Sequence, residues 1–285
     1  MKILSKNDFN DFIDALIEDD AFEVHGVKAK GNAFVFGTLV SSDELRLDYD
    51  TTILPPKKYF LPQYETMLEF DLKNPLNPKK PVTEKPRILV GIHPYDINAI
   101  RQMDAYYLDT DISESYLERR RNTIIIGSDI LTVSEKAFFG NMGTGAVDTG
   151  YDLFVTDLGD RVVIEIGTQR GSDLLKKANR LHDASSVDEQ KKQAVRNAAT
   201  QMAQRGMKTT PRHWYDLLEK NYDNILWEDQ SKKCLACATC TLVCPTCFCY
   251  DVVDDIDLDG EGRRVRTWDG CLLRQFTEVA SGEIF

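Results

Sequence analysis

The chain has 285 residues, with 35 Lys and Arg against 46 Asp and Glu and a formal net charge of −11. At 42% hydrophobic and 28% charged it is globular, long enough for one large or two ordinary domains, and neither disordered nor fibrous. An acidic balance without a basic block excludes a grip on phosphate backbones, and no apolar run reaches the roughly 18 residues of a membrane span. With Asp8 and Asp11 so early, no secretory signal is expected at the start. The first element reads as a helix capped by Asn7 or Asp8, with Phe9, Phe12, Ile13, Leu16 and Ile17 at helical spacing. Strands follow at 34–40, β-branched and aromatic, and at 45–47, which alternates.

The run Leu54-Pro55-Pro56-Lys57-Lys58-Tyr59 continues neither element, because its prolines remove donors and restrict the residues before them. A connector rich in Pro, Asn and Lys spans 74–86. Residues 87–92 then read as a buried strand, His93 to Asp96 as a turn, and Ile97, Ile100, Met103 and Tyr107 as one face of a helix. A second apolar strand at 121–127 makes the pair a βαβ unit with parallel strands. Segments 151–158 and 161–166 flank Gly159-Asp160, a hairpin signal, so the sheet is mixed. Residues 1–172 are expected to form one α/β domain with a mixed sheet.

Beyond residue 173 the texture turns helical. Ala, Lys, Gln and Arg dominate 188–207, and Thr210-Pro211 is a cap and first-turn pair. Trp214, Leu217, Leu218, Tyr222, Ile225 and Leu226 then recur at three- and four-residue steps, which predicts helices packing on the domain. Residues 173–230 are expected to form a helical connector. No internal repeat or low-complexity tract is present.

All seven cysteines lie between Cys234 and Cys271. A disulfide scaffold spreads its cysteines through a small secreted fold, so this clustering and odd count point to metal in a reducing compartment, and the expected location is cytoplasmic. Cys234, Cys237, Cys240 and Cys244, followed by Pro245, form C-x2-C-x2-C-x3-C-P, the bacterial ferredoxin run of [4Fe–4S] proteins. Three thiolates two residues apart let a short loop curl round one cubane. Small residues such as Ala236 and Ala238 let backbone N–H groups approach cluster sulfur. Structural zinc also accepts four cysteines, but its sites usually pair two knuckles across a long spacer. Residues 231–285 are therefore expected to be a ferredoxin-type domain with one [4Fe–4S] cluster and room for a second. Cys247, Cys249 and Cys271 are either further metal ligands or small buried hydrophobes.

Other patterns carry less. Asp255-x-Asp257-x-Asp259-Gly260 opens like a calcium loop, but Arg266 stands where a bidentate Glu belongs, and Arg263 and Arg264 add cations. A solvated hairpin tip is the expectation. The glycines of 140–145 lack the Lys-Ser/Thr ending of a phosphate cradle and read as a tight turn. His25, His93, His182 and His213 stand alone in sequence and read as satisfied structure, and no hydrolase constellation is visible.

These motifs bring a family into view. Residues 54–62, Gly91-Ile92-His93-Pro94-Tyr95-Asp96, Arg120-Arg121-Asn122-Thr123, Met142-Gly143-Thr144-Gly145 and residues 234–251 resemble, in order, the beta subunit of hydrogenase/sulfur reductase and its counterpart in anaerobic sulfite reductase. The resemblance implies an electron relay through ferredoxin-type [4Fe–4S] clusters between catalytic and flavin-bearing subunits of one complex, with no catalytic residue in this chain. Two departures stand out. Family members carry a second ferredoxin run further on, absent before residue 285 here, so a missing C-terminal segment is expected. They also carry cysteines ahead of Met-Gly-Thr-Gly, where this chain has Ile130, Ala137 and Phe139. The fourth ligand of the first cluster thus comes from Cys244, from Cys247, Cys249 or Cys271, or from residues beyond 285. The expected role is an electron-transfer subunit of a multi-subunit oxidoreductase. The rivals are a self-contained iron–sulfur reductase whose α/β domain holds a flavin or nucleotide, and a zinc-stabilised assembly factor.

Overall fold

A computed structural model describes residues 1–73, 85–110, 113–207 and 210–284, except the side chains of 108–110. The connector expected at 74–86 lies outside them up to residue 84. The strands are β1 (Lys2–Ser5), β2 (Glu23–Lys30), β3 (Ala33–Thr38), β4 (Tyr64–Asp71), β5 (Arg87–Ile92) and β6 (Thr123–Ser128). They continue with β7 (Leu153–Asp157), β8 (Arg161–Ile166), β9 (His182–Asp183), β10 (Tyr250–Ile256) and β11 (Glu261–Trp268). The α-helices are α1 (Lys6–Ile17), α2 (Pro94–Thr110), α3 (Glu114–Arg121), α4 (Phe139–Met142) and α5 (Gln169–Leu175). After them come α6 (Ser186–Met202), α7 (Trp214–Lys220), α8 (Ile225–Ser231) and α9 (Thr239–Leu242).

Two compact units divide the chain: residues 1–56 with 85–220, and 57–84 with 221–285. In the first, eight described strands form a sheet of order β3-β2-β5-β6-β7-β8-β1-β9. The central strands β2, β5, β6 and β7 are parallel; β3, β8, β1 and β9 add antiparallel. The fold is thus the mixed α/β arrangement expected. Every residue of β5 and of β6 is buried, as continuous apolar runs require of central parallel strands. They carry Ile88, Val90, Ile124 and Ile126 into one core with Phe9, Phe12 and Leu16 of α1.

Several local details differ from the sequence expectations. Ser5, not Asn7 or Asp8, caps α1: its hydroxyl oxygen accepts the Asp8 N–H at 3.1 Å, and Asp8 sits inside the first turn. Residues 45–47 form no strand, because they follow a 3₁₀ turn at Ser42–Glu44 and only Arg46 N–H reaches β2, at Val27 O. The apolar stripe of 214–226 is broken between α7 and α8, where Asn224 caps a new helix, and Leu217, Leu218, Tyr222, Ile225 and Leu226 are exposed.

The contacts also divide the chain differently from its composition. Ser185 and Asp188 form a capping box at the start of α6. Lys192 and Arg196 of that helix pair with Glu165 of β8, so α6 belongs to the sheet unit. The change of texture at 173 marks a change of secondary structure within one unit. Conversely, β4 joins β10 and β11 in a three-stranded antiparallel sheet of the second unit, in the order β10-β11-β4.

Candidate iron–sulfur site

The ferredoxin run lies in the second unit, on a loop turned by two non-glycine residues with positive φ, Ala236 at 50° and Ala238 at 49°. Left-handed backbone costs an L-residue roughly 1–2 kcal/mol, so two such residues this close together mark a segment bent for a purpose. The Ala236 N–H points at Cys234 Sγ, 3.4 Å away. Ala238, itself buried, starts the short helix α9, which carries Cys240. The Thr239 hydroxyl lies 3.3 Å from Cys237 Sγ and holds that thiol below the usual cysteine range. Cys234, Cys237, Cys240 and Cys271 are exposed, while Cys244, Cys247 and Cys249 are half-buried.

Among the described residues no three Cys, His, Asp or Glu side chains are gathered about a single ion. A cubane makes no such demand, since each of its irons takes its own thiolate and the ligands stand around a body. The residues fit that group on two counts: soft thiolate donors, and a backbone N–H already directed at sulfur.

The remaining cysteines fall into two places. Gly270 packs against α9 so closely that a Cβ there would stand 2.7 Å from Thr241 Oγ1 and 3.1 Å from Ala238 Cβ. Leu273 forms an antiparallel bridge with Cys237. Residues on both sides of Cys271 therefore touch the first thiolate loop. Cys244, Cys247 and Cys249 are grouped instead around Lys57. Burial pushes the Cys244 thiol up, but hydrogen bonds from Thr246 and Cys247 outweigh it and leave the group below its ordinary value. Burial, then the Cys244 charge, raises Cys247.

Lys57 is the residue the sequence reading left without a role. Its carbonyl accepts the N–H groups of Phe60, at 3.0 Å, and Leu61, at 2.8 Å, closing the turn that Pro55-Pro56 introduces. Its ammonium donates to Leu242 O at 3.0 Å and Cys247 O at 2.9 Å, and lies 4.0 Å from the centre of the Trp268 ring. The Trp268 indole N–H is itself held by Leu61 O at 2.9 Å. Burial pulls the Lys57 pKa below the lysine norm, and the thiols of Cys247, Cys244 and Cys249 oppose that pull.

The weaker motifs resolve as local structure. Residues 255–260 form the end of the β10–β11 hairpin, with Asp257 Oδ1 accepting the N–H groups of Asp259 and Glu261, both at 3.0 Å. Arg263 and Arg264 lie on β11 rather than in the loop, and they pair with Asp255 and Asp254 across the hairpin. Arg266 faces Glu65 of β4 in a buried ion pair, Nε to Oε2 at 3.0 Å. The glycine segment is α4, closed by Gly143 at φ 68°. His93 departs from its expectation as satisfied structure. Its Nδ1 lies 2.6 Å from the Tyr95 hydroxyl, which also reaches Asp50 O at 3.1 Å, and the buried Nε2 has no partner among the described residues.

Two further observations concern the α/β unit. Ile130 and Phe139 meet Ala199 and Ala203 in one apolar cluster, with Ala137 packed against it, where the family resemblance would place cysteines. A cavity lined by Lys6, Asp43, Arg46, Asp48 and Asp157 offers little to a phosphate. Lys6 pairs with Asp157, and Arg46 Nη1 is spent on the carbonyls of Asp43 and Leu45.

Residues 233–285 match the family of the 4Fe-4S dicluster domain, so the cofactor is the [4Fe–4S] cluster. Sulfhydrogenase 2 subunit beta of Pyrococcus furiosus is 30% identical over 267 residues, which cover 92% of this chain and 77% of that one. No solved structure matches the chain. No helix among the described residues is long and apolar enough to cross a membrane. Because the likeness extends through the α/β unit as well as the thiolate unit, more is shared than a ferredoxin pattern: the chain belongs to the hydrogenase/sulfur reductase beta-subunit family and serves as an iron–sulfur electron-transfer subunit.

Proposed function

We propose that this chain relays electrons between the flavin-bearing and catalytic subunits of a cytoplasmic hydrogenase or sulfur-reductase complex. The observation that carries the reading is the exposed thiolate loop of Cys234, Cys237 and Cys240, with its two left-handed alanines and its N–H directed at sulfur. A bound [4Fe–4S] cluster supplies a one-electron couple whose potential follows burial, charge and hydrogen bonds to sulfur. The chain's part is to hold that couple near the surface, where a partner's cofactor can approach. Cys234, Cys237 and Cys240 supply three thiolates in this reading. Cys244 is next in the run, and Cys271 competes with it as the fourth, because its neighbours Gly270 and Leu273 both touch the loop.

The test is anoxic purification of the chain with whatever other proteins accompany it, followed by iron, acid-labile sulfide and flavin analysis. Iron and sulfide are expected in this chain and flavin in a separable one. Flavin retained by the isolated chain, or turnover of a soluble donor by it alone, would favour a self-contained reductase. Zinc in place of iron and sulfide would sink the reading. Cys244→Ser and Cys271→Ser then assign the fourth ligand: the true one loses iron, and the other keeps it.

A further inference from the structure

We propose that the Lys57 ammonium is a fixed positive charge that anchors the chain around Cys247 and raises the reduction potential of the cluster held beside it. The inference rests on the iron–sulfur reading above. A lysine only 5% exposed needs a physical reason, because an ammonium leaves water at a large cost unless other groups replace its hydration.

The groups that replace it are neutral. Two are the carbonyls of Leu242 and Cys247, and the third is the face of Trp268. Three donors on one nitrogen suit two carbonyls and a ring, an arrangement that solvates the cation without cancelling its charge. No carboxylate pairs with Lys57 in the described structure, in contrast to the other buried cation of this unit, Arg266, which Glu65 neutralises. The ionisable groups acting most strongly on Lys57 are the thiols of Cys247, Cys244 and Cys249.

This placement is built from both ends. Pro55-Pro56 and the turn onto Phe60 and Leu61 fix the lysine backbone, and the Trp268 ring is fixed by its bond to Leu61. The ammonium then ties Leu242, which ends α9, to Cys247, and so spans Cys244. Reduction adds one negative charge to a cluster. A cation set nearby in a partly desolvated site lowers the energy of the reduced state more than that of the oxidised one. Lys57 therefore acts as a positioning residue with an electrostatic effect, not as a ligand.

The experiment compares the wild-type chain with Lys57→Gln, which keeps a donor without the charge, and Lys57→Arg, which keeps the charge. Each is prepared anoxically, assayed for iron and acid-labile sulfide, and titrated with the reduced-cluster electron paramagnetic resonance signal as readout. Lys57→Gln should disfavour reduction about tenfold, about 59 mV for a one-electron couple, while Lys57→Arg stays near wild type. A potential unchanged in a fully loaded Lys57→Gln chain would overturn the inference. So would equal shifts in both variants, which would assign the effect to shape. Loss of the cluster from Lys57→Gln but not from Lys57→Arg supports the anchoring. A wild-type chain without iron and sulfide would instead remove the iron–sulfur reading, and this inference with it.

Discussion

His93 and Asp96 stand at the start of α2 with opposite ionisation biases. Burial lowers His93 from 6.5 to about 3 and raises Asp96 from 3.8 to about 7. Below its unfolded pKa the free chain takes up a proton that buried His93 refuses, so this contribution to stability is lost as pH falls from 6.5 toward about 3. Asp96 works the other way: the fold keeps a proton that the unfolded chain has shed, and stability is lost as pH rises from 3.8 toward about 7. The two slopes oppose one another in the shared window. In Asp96→Asn the opposing term is gone, and urea midpoints should fall more steeply on acidification below 6.5 than in wild type. Parallel profiles would mean that Asp96 does not titrate as its burial implies. At the other pole is the buried pair Glu65–Arg266. Glu65→Gln takes the neutralising carboxylate from a buried guanidinium and should cost roughly 3 kcal/mol in the second unit, read from its unfolding transition, whereas replacing both partners with apolar residues should cost less.

Single glycines separate conformational from steric demand at the scale of elements. Gly159, at φ 94°, turns the β7–β8 hairpin with nothing within 4 Å of an added Cβ, so Gly159→Ala pays only for the left-handed backbone, about 1 kcal/mol. Gly171, in α5, would place a Cβ 2.0 Å from Asp152 O, and that backbone cannot yield. Asp152 is pinned because its carboxylate accepts the Ile125 N–H at 2.9 Å and the Thr168 hydroxyl at 2.5 Å, joining β6, β7 and the α5 cap. Gly171→Ala is expected to cost roughly 3 kcal/mol in thermal or urea unfolding, by overpacking. Equal costs at the two positions would show that α5 can slide away from β7. The hairpin was legible because Gly159-Asp160 sits between two apolar runs. The tightness at Gly171 was not, since it depends on a carbonyl 19 residues away.

The two units differ in what holds them together. The first has a continuous core of Phe9, Phe12, Leu16, Ile88, Ile124 and Val162 with their neighbours. Among its described residues the second buries few apolar side chains, Tyr59, Phe60, Leu61, Ala238 and Val265, and every residue of β10 is exposed. A unit so thinly cored depends on cross-strand pairs and on its metal, because metal binding contributes directly to folding free energy. Cys237→Ser should therefore lower iron and sulfide content and the unfolding temperature of the second unit, while the transition of the first stays in place. Calorimetry or limited proteolysis reads the two separately. A common loss in both transitions would mean that the units unfold as one.

What the sequence determined by itself was whatever a few consecutive residues encode. The ferredoxin spacing named the cluster, the runs at 87–92 and 121–127 marked central strands, and the Gly159 turn marked a hairpin, because each pattern is complete within a loop, a strand or a turn. Only the tertiary structure decided that Arg266 meets Glu65, that β4 pairs with β11, that α6 belongs to the sheet unit, and that Lys57 faces the carbonyl of Cys247. Those pairings join residues as much as 203 positions apart, as Tyr64 with Thr267. Which strand edge remains free, and which buried charge finds a carbonyl or a ring, is settled by the packing of the whole unit. No local spacing in the chain carries it.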